Sequence, residues 1–526
     1  VDRKTGSSAC NSPGIYLRTG AYRLKTTVIW FPGQISEPLT LSDRIDAAFK
    51  PVVSLLENIF FWDPVKAVGI DIGADVPVVV LWLLFGGVWF TFRMRFINIR
   101  AFGHAFALIR GKYDRAGSKG EVSHFQALTT ALSATVGLGN ITGVAIAIAV
   151  GGPGATFWMI MAGFFGMSLK FTECTLGLKY RHIDSTGRVW GGPMYYLSSA
   201  LEAHNLKGLG RVLALFSAVM MVLASFGGSN MLQANQSFVQ FATIFPAIQG
   251  HGFWFGVALS ILIGMVVIGG IKSIARVTSR LVPFMAFLYV GAALVIIFMN
   301  IDRVGEVFRL IAGEAFNPTS VKGGIIGVII TGFRRGAFSN EAGVGSAAVA
   351  HAAARTDEPV KEGIVAMIEP FIDTVVICTM TALVIIFTGF HQGSGSLEGT
   401  EITSAAFESV FPWFPYLLVA AILCFAFSTM ISWSYYGLNG FMFLFGGIEG
   451  SKRFTPRVIS RVYYFFFLSF TILGASSSLG NVIAFSDMMV LTLAFPNITG
   501  LLILAPEIYG DMKRYMKNYR LGRIPD

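Results

Sequence analysis

The sequence predicts an all-α membrane protein of about eleven transmembrane helices: two inverted groups of five and one extra N-terminal helix. Three observations carry this. Of 526 residues, 54% are hydrophobic and 13% charged, about half the charge share of a soluble domain. Apolar stretches recur at the roughly 20-residue length that crosses a hydrocarbon core. Two of them, at corresponding places in the two halves, are interrupted by runs that make poor helix.

Residues 1–74 read as an extracytoplasmic extension. Within it, 41–61 sets Ile45, Phe49, Val52, Leu55, Leu56 and Ile59 at helical spacing among Asp43, Arg44, Asp46, Lys50 and Glu57. That pattern suits a helix lying in the membrane interface, kinked at Pro51. Residues 75–120 hold a peripheral first span, 76–92, and a basic loop. The first repeat, 121–300, contains spans 124–150, 153–178, 209–243, 252–270 and 280–300. The second, 301–506, contains 320–352, 360–388, 412–446, 457–476 and 480–505, and 507–526 is a tail.

Each repeat opens on an interrupted span. In the first, Val136-Gly137-Leu138-Gly139-Asn140 places two glycines one residue apart ahead of an asparagine. In the second, the interruption is expected at Thr331-Gly332-Phe333-Arg334-Arg335-Gly336. An unwound turn in lipid survives only where protein, water, an ion or a substrate completes its bonding. Five spans are an odd number, so the second group inserts upside down, and paired breaks in inverted halves are the mark of a secondary transporter with a midplane site.

Lysine and arginine concentrate in alternate connections: Arg93 to Lys119, Lys179 to Arg188, Lys272 to Arg280, Lys452 to Arg457 and Lys513 to Arg523. The 301–319 and 389–411 connections carry only Arg303 and Arg309. The N-terminus is therefore expected outside and the C-terminus in the cytoplasm. The net charge of +10 follows from topology and contact with anionic lipid, without nucleic acid. Cys10, Cys174, Cys378 and Cys424 have no spacing for zinc, haem or a disulfide framework. The histidines, His104, His124, His182, His204, His251, His351 and His391, are scattered near span ends. With no His-Glu-x-x-His or Gly-x-Ser-x-Gly run, an enzyme is disfavoured.

Three longer motifs add a resemblance. The segment Gly151-Gly152-Pro153-Gly154-Ala155-Thr156-Phe157-Trp158-Met159 resembles the signature of the alanine or glycine:cation symporter family. Gly191-Gly192-Pro193-Met194-Tyr195-Tyr196 and Phe338-Ser339-Asn340-Glu341-Ala342-Gly343-Val344-Gly345-Ser346 resemble two further stretches typical of it, in family order. The likeness runs from Val78 to Glu507. It implies the inverted five-plus-five fold of sodium-coupled neurotransmitter-type symporters, whose first core helix has a very similar break. It also implies sodium-coupled uptake of alanine or glycine across a plasma membrane, the bacterial inner membrane.

Sodium is hard and takes several oxygen ligands, which neutral carbonyls and hydroxyls supply without burying a compensating charge. By analogy with the related symporters, the carbonyls of Ser133 and Val136 and the Asn140 side chain meet the ion, and Ser428, Thr429 and Ser432 complete the site. The competing role for these hydroxyls is to bond the carbonyl one turn back. A zwitterionic substrate needs donors for its carboxylate, at Gly137 and Gly139 where the half-helix begins, and acceptors for its ammonium, at the Thr331–Gly332 break. Thr135 and Thr142 flank the first break; Trp433, and a wall of Phe226, Asn230 and Gln233, are candidates to close the pocket. Arg334 and Arg335, with Glu341, Glu369 and Asp373, form either a cytoplasmic gate or, the better supported, a fixed internal ion pair or water-facing cluster, and Glu173 is placed at the cytoplasmic vestibule. Proton coupling through Glu341 or Asp373, a larger substrate such as glutamine and, more distantly, a channel stay open as alternatives; oligomeric state is not legible.

Overall fold

The structure is a computed structural model describing residues 51, 54–55, 57–69, 75–115, 117–317, 323–392, 397, 399–446, 455–477 and 488–523. The expected interfacial helix at 41–61 lies largely outside them. The chain is mostly helical. Its principal helices are α1 (Val78–Arg93), α2 (His124–Thr135), α3 (Gly139–Gly151), α4 (Ala155–Lys179), α5 (Lys207–Ile244), α6 (Gly252–Val267) and α7 (Gly270–Met299). They continue as α8 (Gly324–Asn340), α9 (Ala347–His351), α10 (Pro359–Phe387), α11 (Phe414–Gly446), α12 (Pro456–Ser476) and α13 (Met488–Arg520).

Among the described residues, α5, α7, α10, α11, α12 and α13 are long and apolar enough to cross a membrane. The pair α2–α3, bent by 55°, adds a seventh when taken as one span, and α1 and α6 are shorter apolar helices. Of the remaining expected spans, one coincides with α4, which carries Lys170 and Glu173, and the other with the broken pair α8–α9.

Small residues set how closely these helices pack, because lipid offers no hydrophobic penalty to separated apolar helices and close backbone approach must supply the attraction. On α4 a Cβ at Gly163 would lie 3.0 Å from Thr374 Cβ of α10, and one at Gly166 would lie 2.9 Å from Ala342 Cβ. On α8 a Cβ at Gly332 would lie 2.6 Å from the Ala155 carbonyl, and one at Gly336 would lie 2.8 Å from Ala162 Cβ. Helix α4 is thus enclosed by α8 and α10, which explains how it tolerates buried charge.

At one end the segments preceding α2 and following α9 are tied together. Val122 and Ala354 form a parallel bridge, the Glu121 and Val122 amides donate to the Ala353 carbonyl, and the Arg355 amide donates to the Val122 carbonyl. Arg181 donates to the carbonyls of Lys119, Ala352, Ala354 and Thr356 at 2.6–2.8 Å. Beside this joint, Glu362 at the start of α10 bridges His124, the first residue of α2, and His351, the last of α9.

Candidate functional site

Helix α2 stops where the sequence expects it to. Val136 is extended (φ −72°, ψ 102°), and the chain resumes at Gly139 in a wider π-helical turn, Gly139–Gly143, a feature enriched at functional sites. The glycines are needed for proximity: a Cβ at Gly137 would lie 3.1 Å from Thr429 Oγ1, and one at Gly139 would lie 3.3 Å from Ser339 Cα. Asn140 braces the break. Its Oδ1 accepts from the Gly137 amide at 2.8 Å, while its Nδ2 donates to Asp373 Oδ1 at 2.7 Å and to the Asp373 carbonyl at 3.1 Å.

The expected oxygen cluster assembles across α2 and α11. Thr429 Oγ1 donates to the Ser133 carbonyl at 3.0 Å, whereas Ser428 Oγ donates to the Phe425 carbonyl one turn back at 2.9 Å and lies 3.5 Å from the Ser133 carbonyl. Ser133 Oγ meets Ser432 Oγ and also donates to the Ser428 carbonyl at 3.3 Å. All four side chains are buried, so the cluster offers neutral oxygens in a dry setting. Val136 is buried in the adjoining turn.

The second break falls at 341–346, not at 331–336. Helix α8 runs unbroken through Thr331, Gly332, Arg334 and Arg335, because Gly332 and Gly336 serve the close approach to α4 and not an unwound turn. The chain leaves the helix at Glu341 (φ 52°) and turns through Gly343 (φ 92°) and Gly345 (φ 82°), conformations that glycine adopts without steric cost. Glu173 Oε2 satisfies the exposed backbone, accepting from the amides of Gly343 at 3.2 Å and Gly345 at 3.1 Å, and also from Asn497 Nδ2 at 3.0 Å. Lys170 stands among these carboxylates, 3.0 Å from Glu369 and 3.8 Å from Glu173, with all three side chains fully buried.

A small cavity lies between the two breaks, lined by Thr135, Gly137, Leu138 and Gly139, by Gly228, Ser229 and Gln233 of α5, by Phe338 and Glu341, and by Thr429. Its volume is ≈ 30 Å³ measured to the centre of a water-sized sphere. The α5 wall is itself a π-helical turn, Gly227–Met231.

Several expected residues sit elsewhere. Thr331 packs against Gly151, and Gly332 against Ala155 and Trp158, so neither reaches the cavity. Thr142 bonds Thr400 at 2.5 Å on the flank of the first break. Phe226 stacks on Phe470 and Tyr463 of α12, and Asn230 bonds Thr471 Oγ1 and the Phe467 carbonyl; both join helices. Trp433 is fully buried behind the cavity, its Nε1 donating to Glu341 Oε1 at 3.2 Å. The arginine–carboxylate gate is not gathered. Glu369 meets Lys170, Asp373 accepts from Asn140, Ser339 and Thr374, Glu341 lines the cavity, and Arg334 lies over the Phe61 ring. The sequence reading also missed Lys170, although a Lys-x-x-Glu pair inside an apolar span is a visible signal.

The sequence model of the sodium:alanine symporter family matches residues 67–526. The sodium/alanine symporter AgcS of Methanococcus maripaludis is 40% identical over 84% of this chain and 94% of its own length. The probable sodium/glutamine symporter GlnT of Bacillus subtilis is 34% identical over 85% of this chain and 90% of its own. Among solved structures, MhsT in complex with L-phenylalanine aligns at a TM-score of 0.47 and 15% identity, covering 75% of this chain and 100% of that one. The match to the family model over most of the chain, with relatives alike over nearly their full lengths, makes this protein a member of the sodium:alanine symporter family, a sodium-coupled amino acid transporter and not an enzyme.

Proposed function

We propose that the protein carries a small neutral amino acid, alanine or glycine, together with sodium by alternating access, in a plasma membrane with its N-terminus outside and its C-terminus in the cytoplasm. In this reading the helices form two inverted five-helix repeats, α2 to α7 and α8 to α13, each opening on a broken helix. The observation that carries it is a cavity bordered by both breaks, by Gly137 to Gly139 on one side and Phe338 and Glu341 on the other.

Sodium is assigned to the oxygens of Ser133, Val136, Asn140, Ser428, Thr429 and Ser432, and the substrate to Thr135, Gly137, Gly139 and Gln233. Thr429 belongs to both neighbourhoods, since it bonds the Ser133 carbonyl and lines the cavity. Ion binding that fixes Thr429 thereby shapes the substrate pocket, the differential contact that coupling requires. Glutamine, which the name of GlnT brings into consideration, is the alternative substrate. The test is uptake of labelled alanine, glycine and glutamine into proteoliposomes, with sodium and proton gradients imposed separately. Alanine or glycine uptake driven by sodium is expected. Equal uptake when choline replaces sodium at constant pH contradicts the ion assignment, and uptake of glutamine alone contradicts the substrate.

A further inference from the structure

We infer that a basic groove between the end of α1 and the last turns of α13 binds the phosphodiester headgroup of an anionic phospholipid. Residues 78–92 and 488–506 carry no charge, whereas Arg93 and Glu507 open charged runs, so both helices leave the hydrocarbon here and the groove lies at a membrane surface. Its volume is ≈ 420 Å³. Arg95 and Arg100 line it from the segment after α1, and Lys513, Lys517 and Arg520 line it from α13, with no aspartate or glutamate among the lining residues. Helical spacing sorts the charges of α13 by sign: Lys513, Lys517 and Arg520 share one face, while Glu507 and Asp511 are taken up by Lys179, and Asp511 also by Arg514 at 2.9 Å. Among the described residues, none of the five groove cations has a carboxylate within 4.0 Å.

The arginine side is fixed in place. Arg93 and Arg95 lie 4.4 Å and 5.6 Å from the centre of the Tyr509 ring, and Arg100 Nη1 donates to the Arg95 carbonyl at 3.3 Å. A ring face engages a guanidinium without consuming its N–H donors. Cations gathered in one groove without a counter-charge repel one another; a phosphate between the two walls removes that repulsion and accepts paired N–H bonds from arginine. The apolar lining selects a lipid over a free anion. Met512 and Met516 line the groove as buried side chains and Leu521 as an exposed one, and Ile99, next to Arg100 in the chain, is 61% exposed. Acyl chains cover such surface beside the point where the headgroup meets the cations. A built groove of this kind holds one lipid, which the diffuse attraction of scattered basic residues does not.

The test titrates the purified full chain, in neutral detergent, with phosphatidylglycerol or with phosphatidylcholine of the same acyl chains, and reads bound lipid by native mass spectrometry. The parent is expected to bind phosphatidylglycerol at least about tenfold more tightly. The triple variant Lys513→Gln, Lys517→Gln, Arg520→Gln should cut that preference to about threefold or less, and the pair Arg95→Gln, Arg100→Gln should do so from the other wall. A control triple, Lys272→Gln, Arg276→Gln, Arg280→Gln, removes the same charge from exposed positions on α7 and should keep the parental preference. A reduced preference in either groove variant, with the control intact, supports the site. A parent without preference, groove variants that both keep it, or a control that loses it as the groove triple does overturns the assignment. Inorganic phosphate that displaces phosphatidylglycerol at millimolar concentration overturns the lipid in favour of a free-anion site; retention of the lipid in its presence supports it.

Discussion

Glu173 accepts a hydrogen bond from the backbone amide of Gly345 at 3.1 Å, so a side chain of α4 takes the place of the helical carbonyls missing where α8 unwinds. The same oxygen serves Gly343 and Asn497, and Lys170 stands nearby. The broken helix is therefore held open by an acceptor that α4 places there.

Glu173→Ala is expected to destabilise the protein by about 3 kcal/mol, since it leaves two amides unsatisfied and removes a buried charge beside Lys170. Glu173→Gln, which keeps one acceptor oxygen, should lose less. Thermal unfolding in detergent ranks the variants; equal midpoints for Glu173→Ala and the parent contradict the role.

Replacing Ser428 and Thr429 together by alanine is expected to raise the sodium concentration for half-maximal uptake by about tenfold or more. Alanine affinity at saturating sodium should fall much less. By linkage, the apparent alanine affinity drops at low sodium and partly recovers at high sodium. An unchanged sodium activation curve removes these hydroxyls from the ion site.

Gly332→Val tests packing against chemistry. Its added carbons meet the Ala155 carbonyl and Trp158 Cβ, so a loss of about 1–3 kcal/mol in stability is expected from overpacking, with sodium and alanine affinities of the folded fraction unchanged. A variant with parental stability and altered alanine affinity returns Gly332 to the binding site.

Arg181→Gln should loosen the joint between the segments flanking α2 and α9, because four carbonyl contacts are lost. Hydrogen exchange at the amides of Glu121, Val122 and Arg355 is expected to accelerate by about tenfold. Unchanged exchange at all three shows that the backbone bonds hold the joint without the guanidinium.

The first break was legible because Gly137-Leu138-Gly139-Asn140 has no reading as continuous helix in lipid. The second carries the same signal, Gly343-Val344-Gly345-Ser346, yet Arg334 and Arg335 drew the prediction one helix-half too early. Their neighbours Gly332 and Gly336 lie in regular helix, and only the position of α4 reveals that they serve contact. Hydroxyls on α11 were identified by their shared face, and α2 meets that face. Phe226 and Asn230 share Gln233's helix, but a sequence does not disclose that α12 covers them while Gln233 faces the cavity. Asp373 and Glu341 were recognised as buried charges needing partners; which partners they find is a property of the three-dimensional fold.

The most direct test of sodium-coupled carriage is equilibrium binding of labelled alanine to the purified protein across a sodium series at fixed pH and ionic strength, with choline as the replacement cation. Ion and substrate sites sharing Thr429 predict that alanine affinity rises with sodium and saturates, and that alanine tightens sodium binding by the same factor. Alanine affinity that stays constant across the series contradicts the account.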